Sequence, residues 1–462
     1  MMEAIITDDA GTKRFVLLIT TLAAFLSPFS ISSVNIALPS IGQEFLMDAI
    51  SLSWVTTAYL LTTAMFLVPF GKIADIYGRK RIFTYGIVTF TLASIGSSIS
   101  NSAAVLICFR ILQGIGAAAT YCVGAAILTS VFPARELGKV FGINLAAVYL
   151  GNSVGPFLGG FLTDHLGWRS IFLVNVLLGL IVIFFVLRKL KGEWREAKEE
   201  KFDLTGSIIY SITLLLIMYG FSQLSTVRGA WFILTGALGI IAFMKWEAKI
   251  ESPVLEINLF RNNRVFALSN LAALINYSAT FAVTFLLSLY LQYIKALTAE
   301  KAGLILLSQP IVQTIFSPFA GRFSDRIEPR IVASIGMALT AVGLFLFIFL
   351  NEKTTIEFIV ASLALFGFGF ALFSSPNTNA VMGSVENRFY GVASGTIGTM
   401  RMMGMVLSMG ITILIFSTVI GKVRITPEYY PFFLRCTKMA FTFFTVLCLG
   451  GTLASLARGK VR

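Results

Sequence analysis

Long apolar runs alternate with short polar gaps along almost the whole chain. Each run is about 20 residues or longer, the length of a helix that crosses a hydrocarbon core of about 30 Å. The gaps carry the charged residues, glycines and prolines that end helices. The pattern predicts fourteen membrane-spanning helices. These spans lie near residues 15–37, 51–70, 82–100, 104–131, 138–163, 168–187, 204–222, 231–250, 262–290, 300–318, 330–350, 356–378, 390–418 and 434–456.

Composition narrows the class of protein further. Hydrophobic residues make up 56% of the 462 positions and charged residues only 13%, against about 25% charged in a soluble domain. Because such a chain cannot cover itself with polar surface in water, a soluble enzyme and a nucleic-acid-binding protein are excluded. An intramembrane enzyme is disfavoured, since the sequence has no HExxH motif, paired Asp or Cys/His cluster. We expect an all-α monomer in a lipid bilayer, with no nucleic acid, metal or cofactor.

The basic residues predict an orientation in the membrane. An even number of spans places both termini on one side. With that side cytoplasmic, 25 of the 36 Lys and Arg residues lie inside, nine lie outside and two lie within spans. The positive-inside rule expects this asymmetry in short loops. We therefore predict a multi-pass protein with both termini in the cytoplasm.

A repeat relates the two halves of the chain. After span 2 the sequence reads GKIADIYGRKR (Gly71–Arg81), and 250 residues later, after span 10, it reads GRFSDRIEPR (Gly321–Arg330) with the same Gly-to-Asp spacing. Many transporters are built from such duplicated bundles. The repeat predicts one six-helix bundle at 13–190 and a second at 261–458. A charged linker and two inserted helices occupy 191–260.

Three stretches resemble signatures of one transporter family. GKIADIYGRKR resembles the first-loop signature of the major facilitator superfamily, and RILQGIGAA (Arg110–Ala118) resembles its second signature. GNSVGPFLGG (Gly151–Gly160) is similar to the antiporter signature of exporters in that superfamily. With fourteen spans, the chain resembles the drug:proton antiporter (multidrug efflux) branch. The resemblance implies a plasma-membrane secondary transporter that exports small amphiphilic or drug-like compounds by alternating access, in exchange for protons.

The first-loop signature predicts a gate at the cytoplasmic ends of the spans. Gly71 and Gly78 would permit a tight turn, and Asp75 would cap the start of span 3. Basic side chains would then face lipid phosphates or reach helix C-termini of the other half. The alternative is an ordinary positive-inside loop. The predicted inner gate comprises Gly71, Asp75, Gly78, Arg79, Lys80 and, from the second repeat, Asp325.

Small residues predict close helix packing in span 5. Gly151, Gly155 and Gly159 recur at four-residue spacing, so that a neighbouring helix can approach closely. Pro156 removes one backbone hydrogen bond and bends the helix. Together with Gly160, these residues predict an interface that moves during transport. The alternative is static packing by small residues.

Two arginines lie deep within predicted spans, where a buried charge indicates a functional site. Arg110 lies in span 4 and Arg401 lies near the middle of span 13. We predict that both face a central cavity. The alternative is that each guanidinium only fastens spans together. The predicted substrate path comprises Asn35, Arg110, Gln113 and Arg401. Further polar candidates are Asn144, Asn152, Asn276, Gln309 and Gln313.

One position departs from the pattern of the antiporter branch. Its members typically carry an Asp in span 1 shortly before a stretch such as VNIALP, and the match at Val34–Pro39 puts Ser30 at that place. Since no other carboxylate lies mid-span and Ser30 cannot titrate, the sequence leaves proton coupling undecided. The alternatives are a facilitator or uptake carrier for an organic anion and a transporter-like sensor. Two deep arginines without a deep acid also predict a preference for neutral, zwitterionic or anionic amphiphiles.

Overall fold

The regular structure of the described residues is helical. The computed structural model describes residues 10–190, 192–195, 202–224, 226–250, 257–386 and 390–459. The helices are α1 (Ala10–Glu44), α2 (Ala49–Tyr77), α3 (Arg79–Ser98), α4 (Ala103–Val131), α5 (Ala134–Leu166), α6 (Arg169–Lys189), α7 (Leu204–Ser222), α8 (Val227–Glu247), α9 (Ile257–Asn262), α10 (Arg264–Thr280), α11 (Ala282–Leu289), α12 (Ala299–Leu306), α13 (Ser308–Arg326), α14 (Pro329–Phe347), α15 (Ile356–Gly383), α16 (Tyr390–Val419) and α17 (Tyr430–Ala457). The predicted all-α class is confirmed.

Fourteen segments of the described chain can cross a membrane. Thirteen are long and apolar enough by length and hydropathy alone. The other, α3, has 20 residues, which at about 1.5 Å per residue span about 30 Å. Its basic start and its many small polar residues lower its hydropathy, yet it packs along α4, which itself crosses. The fourteen-helix architecture predicted from the sequence is confirmed.

The ends of the helices define two faces of the protein. The chain enters α1 and leaves α17 at one face, here called the terminal face, which also carries the turn at Gly78 between α2 and α3. The other face, here called the opposite face, carries the short connections at 45–48, 99–102 and 167–168.

The helices pack in two groups with a pair beside them. In the first group, α1–α6, α1 contacts α5, and α4 contacts α2 and α3. In the second group, α10–α17, α15 contacts α13 and α14, and α10 contacts α16 and α17. Helices α7 and α8 pack on each other, and α7 also contacts α2 and α16. The pair therefore touches both helix groups.

The sequence repeat extends from the loops into the helix packing. Gly86 in α3 lies against α4, where a Cβ would come within 3.0 Å of the carbonyl oxygen of Gly116. Gly336, 250 positions later in α14, lies in the same way against α15, where a Cβ would come within 2.7 Å of the carbonyl oxygen of Gly369. Such close backbone contact is typical of helices that pack in lipid. The two similar loops thus precede helices that pack alike.

Predicted span 9 is broken in the middle. Helix α10 ends at Thr280 and α11 begins at Ala282, after which a π-helical turn covers Tyr290–Ile294. The backbone N–H of Ala282 donates to Ser408 Oγ on α16 at 3.0 Å. A side-chain partner of this kind satisfies a backbone group that the break would leave open in the membrane. Predicted span 10 is likewise divided, into α12 and α13.

A proline bends α1 where it meets the second helix group. Pro39 has no N–H, so the carbonyl of Asn35 loses its partner within the helix. Ser288 Oγ on α11 donates to that carbonyl at 2.8 Å, and Gln292 Nε2 donates to the carbonyl of Ile36 at 2.8 Å. The bend in α1 is therefore held by side chains of the other group.

The pair formed by α7 and α8 donates hydrogen bonds to the backbone near a proline in α2 in the same manner. Pro69 leaves the carbonyl of Met65 without a helical partner. Ser211 Oγ on α7 donates to this carbonyl at 3.1 Å, and the hydroxyl of Tyr210 donates to the carbonyl of Ala64 at 3.1 Å. The contact of α7 with α2 thus includes hydrogen bonds to the backbone at its kink.

Candidate functional site

A cavity of about 170 Å³ lies between the two helix groups. Residues of α1, α4 and α5 line it from the first group, and residues of α10–α13, α15 and α16 line it from the second. Concave sites with apolar walls and a few polar groups are typical of small-molecule binding. The polar lining residues include Asn35, Tyr149, Asn152, Gln309, Gln313 and Arg401.

Contacts between the groups close the opposite face. Asp164, at the end of α5, accepts hydrogen bonds from the backbone N–H groups of Ala299 (3.3 Å) and Glu300 (2.8 Å) at the start of α12. The carboxylate thereby caps the positive end of that helix. His165 Nε2 lies 3.1 Å from Glu300 Oε2. The two helix groups are therefore joined at the opposite face.

Arg401 lies in the cavity wall. Its Nη2 donates to Thr378 Oγ1 on α15 at 2.6 Å, and its Cζ lies 5.7 Å from the ring centre of Tyr277. Within the described structure, its Nε is buried and has no hydrogen-bond partner, so a ligand meets the Nη groups. The side chain is half-buried. Because a guanidinium carries five N–H donors, Arg401 keeps donors available for a ligand.

Three tyrosines of the cavity were not predicted as site residues. Tyr121, Tyr149 and Tyr277 line the cavity near Arg401. Tyr277 contacts Phe370 edge-on at 5.4 Å between ring centres, and the hydroxyl of Tyr149 lies 3.4 Å from Ser374 Oγ. Tyrosines in spans usually concentrate at the membrane interfaces. The sequence feature that could have identified these tyrosines as site residues is their position in the middle of spans 4, 5 and 9.

The other polar candidates divide between the cavity and the helix packing. Asn35 lines the cavity and its Oδ1 accepts from Thr56 Oγ1 at 2.7 Å. Asn144 lies outside the lining, where its Nδ2 donates to the carbonyl of Thr20 at 3.2 Å. Asn276 is fully buried in α10, and its amide has no partner in the described structure. Asn152, Gln309 and Gln313 line the cavity.

Arg110 and Gln113 lie outside the cavity, which corrects the expectation that both deep arginines face it. Arg110 is fully buried within the first group and points toward α1 and α2. Its Nε donates to the carbonyl of Val55 at 3.0 Å, and its Nη1 donates to Ser30 Oγ at 3.2 Å and Gln113 Oε1 at 2.6 Å. Gln113 in turn donates to Ser94 Oγ at 2.8 Å. The carbonyl and side-chain acceptors of the first group draw the guanidinium inward.

A short chain of contacts links this buried arginine to the cavity. The ring of Tyr59 lies 4.3 Å from Arg110 Cζ, a cation–π distance. The hydroxyl of Tyr59 lies 2.6 Å from the Oγ of Ser27, which lines the cavity. Tyr59 therefore stands between the guanidinium and the cavity wall.

The predicted gate at the terminal face is organised by Arg79. Its guanidinium binds Asp75 at 2.8 Å and reaches the end of α4, where it donates to the carbonyl of Ala126 (3.1 Å) and to Ser130 Oγ (2.6 Å). A cation is favourable at a helix C-terminus. This helix belongs to the same group, whereas we expected the basic side chains to face lipid phosphates or to reach helix C-termini of the other half.

Two details of the gate differ from the expectation. Gly71 is helical within α2 and has open space beside it, so the tight turn requires only Gly78, whose φ is +123°. The sequence could not locate the turn because both glycines fit one. The side chain of Asp325 lies outside the described residues, although its backbone lies in α13.

The linker caps the start of α3, a role that we predicted for Asp75. Glu193 Oε1 accepts from the backbone N–H of Lys80 at 2.8 Å, and the carbonyl of Trp194 accepts from the N–H of Arg79 at 3.0 Å. These acceptors satisfy two of the free donors at the helix start. Asp75 turns instead to Arg79, the stronger, charged partner. A cap supplied from more than 100 residues away leaves no local sequence signal.

Replacing Glu193 by alanine should loosen the start of α3. A lost cap costs about 1 kcal/mol, so amide hydrogen exchange at Arg79 and Lys80 should accelerate about fivefold. Exchange measured by mass spectrometry on the purified protein tests this. Glu193→Gln keeps an acceptor oxygen and should exchange nearly as the parent does. Equal exchange in the alanine variant and the parent would contradict the capping role.

A second buried arginine on the terminal face was also missed. Arg458, just past α17, is fully buried and donates to Asn377 Oδ1 (2.7 Å) and Ser269 Oγ (3.2 Å). Burial lowers its pKa to about 10, and Glu328 opposes that shift. Arg458 lies just after the last predicted span, where hydropathy gives no sign of its burial. It joins α10, α15 and the end of α17.

The glycines of span 5 face two different neighbours. Gly151 and Gly159 pack on α1, where a Cβ would lie 2.7 Å from the carbonyl oxygen of Phe25 and 2.7 Å from Ser33 Cα. Gly155 lies on the same side, and a Cβ there would collide with Ser32 Oγ. These three glycines therefore pack within the first group.

Gly160 and Pro156 face α12 of the second group instead. A Cβ at Gly160 would lie 2.8 Å from the carbonyl carbon of Ala299, and one at Gly303 would lie 2.8 Å from that of Pro156. This crossing, here called the α5–α12 contact, brings the two groups together next to the closed opposite face. One side of α5 thus packs within the first helix group, and another side contacts the second group.

Fold and cavity together define a polytopic membrane transporter: two helix groups share a central binding space that is shut at one face. The chain belongs to the major facilitator superfamily, whose family model, described as Major Facilitator Superfamily, matches residues 20–290 and 269–460. The predicted resemblance is confirmed.

Curated relatives and solved structures agree with this class. The chain is 31% identical over 392 residues to the riboflavin transporter RibZ of Clostridioides difficile (strain 630), covering 84% of this chain and 85% of the relative. It is 32% identical over 402 residues to the multidrug resistance protein Stp of Mycobacterium tuberculosis (strain CDC 1551 / Oshkosh), covering 85% and 74%. A crystal structure of a POT family transporter in complex with a thioalcohol-conjugated peptide matches in fold, with a TM-score of 0.71, 16% identity and coverage of 95% and 94%. As a member of the major facilitator superfamily, the chain is a transporter and not an enzyme.

Proposed function

We propose that this transporter exports small amphiphilic compounds across the plasma membrane by alternating access, as a monomer with both termini in the cytoplasm. The terminal face is then the cytoplasmic face, and the opposite face is the outer one. Similarity to a multidrug resistance protein and to a riboflavin transporter supports organic amphiphiles as cargo. The excess of 25 basic residues over nine on the terminal side supports the orientation.

The observation that carries the proposal is the shared cavity. It is lined by both helix groups and is shut at the outer face by Asp164 and by the α5–α12 contact. Substrate reaches such a site from the cytoplasm and leaves after these contacts separate. We propose that residues 13–190 and 261–458 rock as two bundles around the cavity, with residues 191–260 following.

Coupling to protons needs a group whose charge changes during the cycle. Among the described residues that line the cavity, none is an acid or a histidine. Near the outer face, His165 Nε2 lies 3.1 Å from Glu300 Oε2, with 54% of the His165 side chain and 34% of the Glu300 side chain exposed. Because a pair this accessible to solvent contributes about 0–1 kcal/mol, it changes the balance between closed and open states by less than about tenfold. The cavity lining therefore does not decide between proton antiport, which the resemblance implies, and a facilitator or uptake carrier for an organic anion. A flux experiment distinguishes them.

Flux in inverted membrane vesicles tests the proposal. We expect radiolabelled amphiphiles, riboflavin among them, to accumulate in vesicles that contain the transporter and not in vesicles that lack it. A pH-sensitive dye follows protons in parallel. Flux with a dye response supports antiport, and flux without one supports the facilitator. If no compound moves in either direction, the export proposal fails and a transporter-like sensor replaces it.

A further inference from the structure

We propose that Arg401 makes the cavity selective for amphiphiles that carry one acidic group on a flat aromatic body. The acidic group, a carboxylate or a similar anion, pairs with the guanidinium while the ring packs on the aromatic wall. This inference rests on the proposed function, because it concerns the same cavity, and it adds the chemical class of the substrate.

The charge of the cavity carries the first step. Among the 24 described residues that line it, Arg401 is the one charged side chain. In a site of low dielectric, an uncompensated charge attracts an anion and repels a cation more strongly than in water. A lipophilic cation entering this cavity meets one positive charge and no described carboxylate in the lining.

The second deep arginine, Arg110, does not line the cavity and therefore does not contact a ligand there. Arg110 is fully buried in the first helix group, and its hydrogen-bond partners are neutral oxygens, among them those of Ser30 and Gln113. Tyr59 separates it from the cavity wall at Ser27. A ligand in the cavity therefore contacts one guanidinium. Arg110 adds a second positive charge behind the wall, which reinforces the preference against cations.

The described hydrogen bond of Arg401 leaves other N–H groups of the guanidinium able to pair with a ligand. Thr378 on α15 accepts from Nη2 at 2.6 Å and fixes the plane of the guanidinium. The remaining N–H groups match the two oxygens of a carboxylate, a geometry that the point charge of a lysine lacks. Thr378 is thus a positioning residue, and Arg401 is the residue that touches the ligand.

The wall around the guanidinium suits a flat ring. Tyr277 lies 5.7 Å from Arg401 Cζ and meets Phe370 edge-on. Tyr121 lines the same region, and its ring lies beside Gly398, where a Cβ would come within 3.5 Å of it. Aromatic faces stack on planar ligands. Met402, one turn from Gly398 and also in the lining, adapts to ring shape.

Binding of three matched naphthalenes to the purified full-length protein tests the proposal. The compounds are 2-naphthoate, 2-naphthalenemethanol and 2-naphthylmethylammonium, which share a ring and differ in charge. We expect the acid to bind most tightly and the cation most weakly. Arg401→Gln should weaken binding of the acid about 10- to 100-fold and change binding of the alcohol less than about twofold. The Arg401→Lys variant should bind the acid with an affinity between those of the parent and the Gln variant. Lysine keeps the positive charge but lacks the paired N–H donors of the guanidinium.

The controls separate this inference from the proposed function. Lys438→Gln removes an exposed charge of α17 that is not in the lining, and it should change no affinity. If the cation binds the parent protein as tightly as the acid does, or if Arg401→Gln leaves acid binding unchanged, the inference fails. The rank order of the three affinities in the parent protein tests the inference even where a variant misfolds. Selective acid binding without flux of any compound would overturn the export proposal alone.

Discussion

A valine in place of Gly303 should abolish transport by holding the outer face open. A Cβ at this position would collide with the carbonyl of Pro156 and lie 2.8 Å from its carbonyl carbon. Both contacts are with backbone, which cannot move aside as a flexible side chain can. Overpacking costs about 1–3 kcal/mol, which shifts the balance between closed and open states by about 5- to 150-fold.

Accessibility of the cavity measures this shift. A cysteine introduced at Asn152, in a background without the four native cysteines, should react with a membrane-impermeant thiol reagent added outside. We expect slow reaction with Gly303 present and fast reaction in the Gly303→Val variant. Gly142→Ala, in α5 with nothing within 4 Å of the added Cβ, is the matched control and should behave as the parent. Unchanged labelling and flux in the valine variant would show that the α5–α12 contact does not govern closure.

An aspartate in place of Ser30 should make transport depend on protons. Ser30 is fully buried, and its Oγ lies 3.2 Å from Arg110 Nη1. A carboxylate there would pair with the guanidinium, whose described partners are all neutral. Losing or gaining its proton would then make or break a buried ion pair, worth several kcal/mol between conformations.

The pH dependence of flux is the readout for this variant. We expect the initial rate of Ser30→Asp to change at least about tenfold between pH 6 and pH 8, since a shift of 1.4 kcal/mol is tenfold, and to follow an imposed proton gradient. Ser30→Asn matches the size without a titrating group and should not respond. The double variant with Arg110→Gln should lose the response. If the Asp and Asn variants share one pH profile, the space beside Arg110 is not a coupling site.

The sequence predicted the features that follow from hydropathy and repetition. The fourteen crossings rest on run length, which the bilayer fixes. The short connections after α2 and α13 rest on the repeated loop. The position of Arg401 in the cavity was also predictable, because a charged side chain is too costly to leave in lipid and therefore faces the interior of the protein. Each of these depends on a property that is read locally along the chain.

The remaining features depend on partners distant in sequence. Arg110 turned away from the cavity because the carbonyl of Val55 on α2 and the hydroxyl of Ser30 on α1 accept its hydrogen bonds. The break at Ala282 is stabilised by Ser408, and apolar residues around it give no sign of it. Periodicity describes one helix at a time, so it cannot assign which neighbour satisfies a given group.

Removing α7 and α8 together with their linker would destabilise the rest of the protein. Ser211 satisfies the carbonyl of Met65, and the linker that leads to the pair, through Glu193, caps α3. Excising residues 191–260 would leave an open carbonyl at membrane depth and a frayed helix beside the gate, each costing about 1–3 kcal/mol. A shortened descendant would need compensating substitutions in α2 and at the start of α3 before the deletion became tolerable.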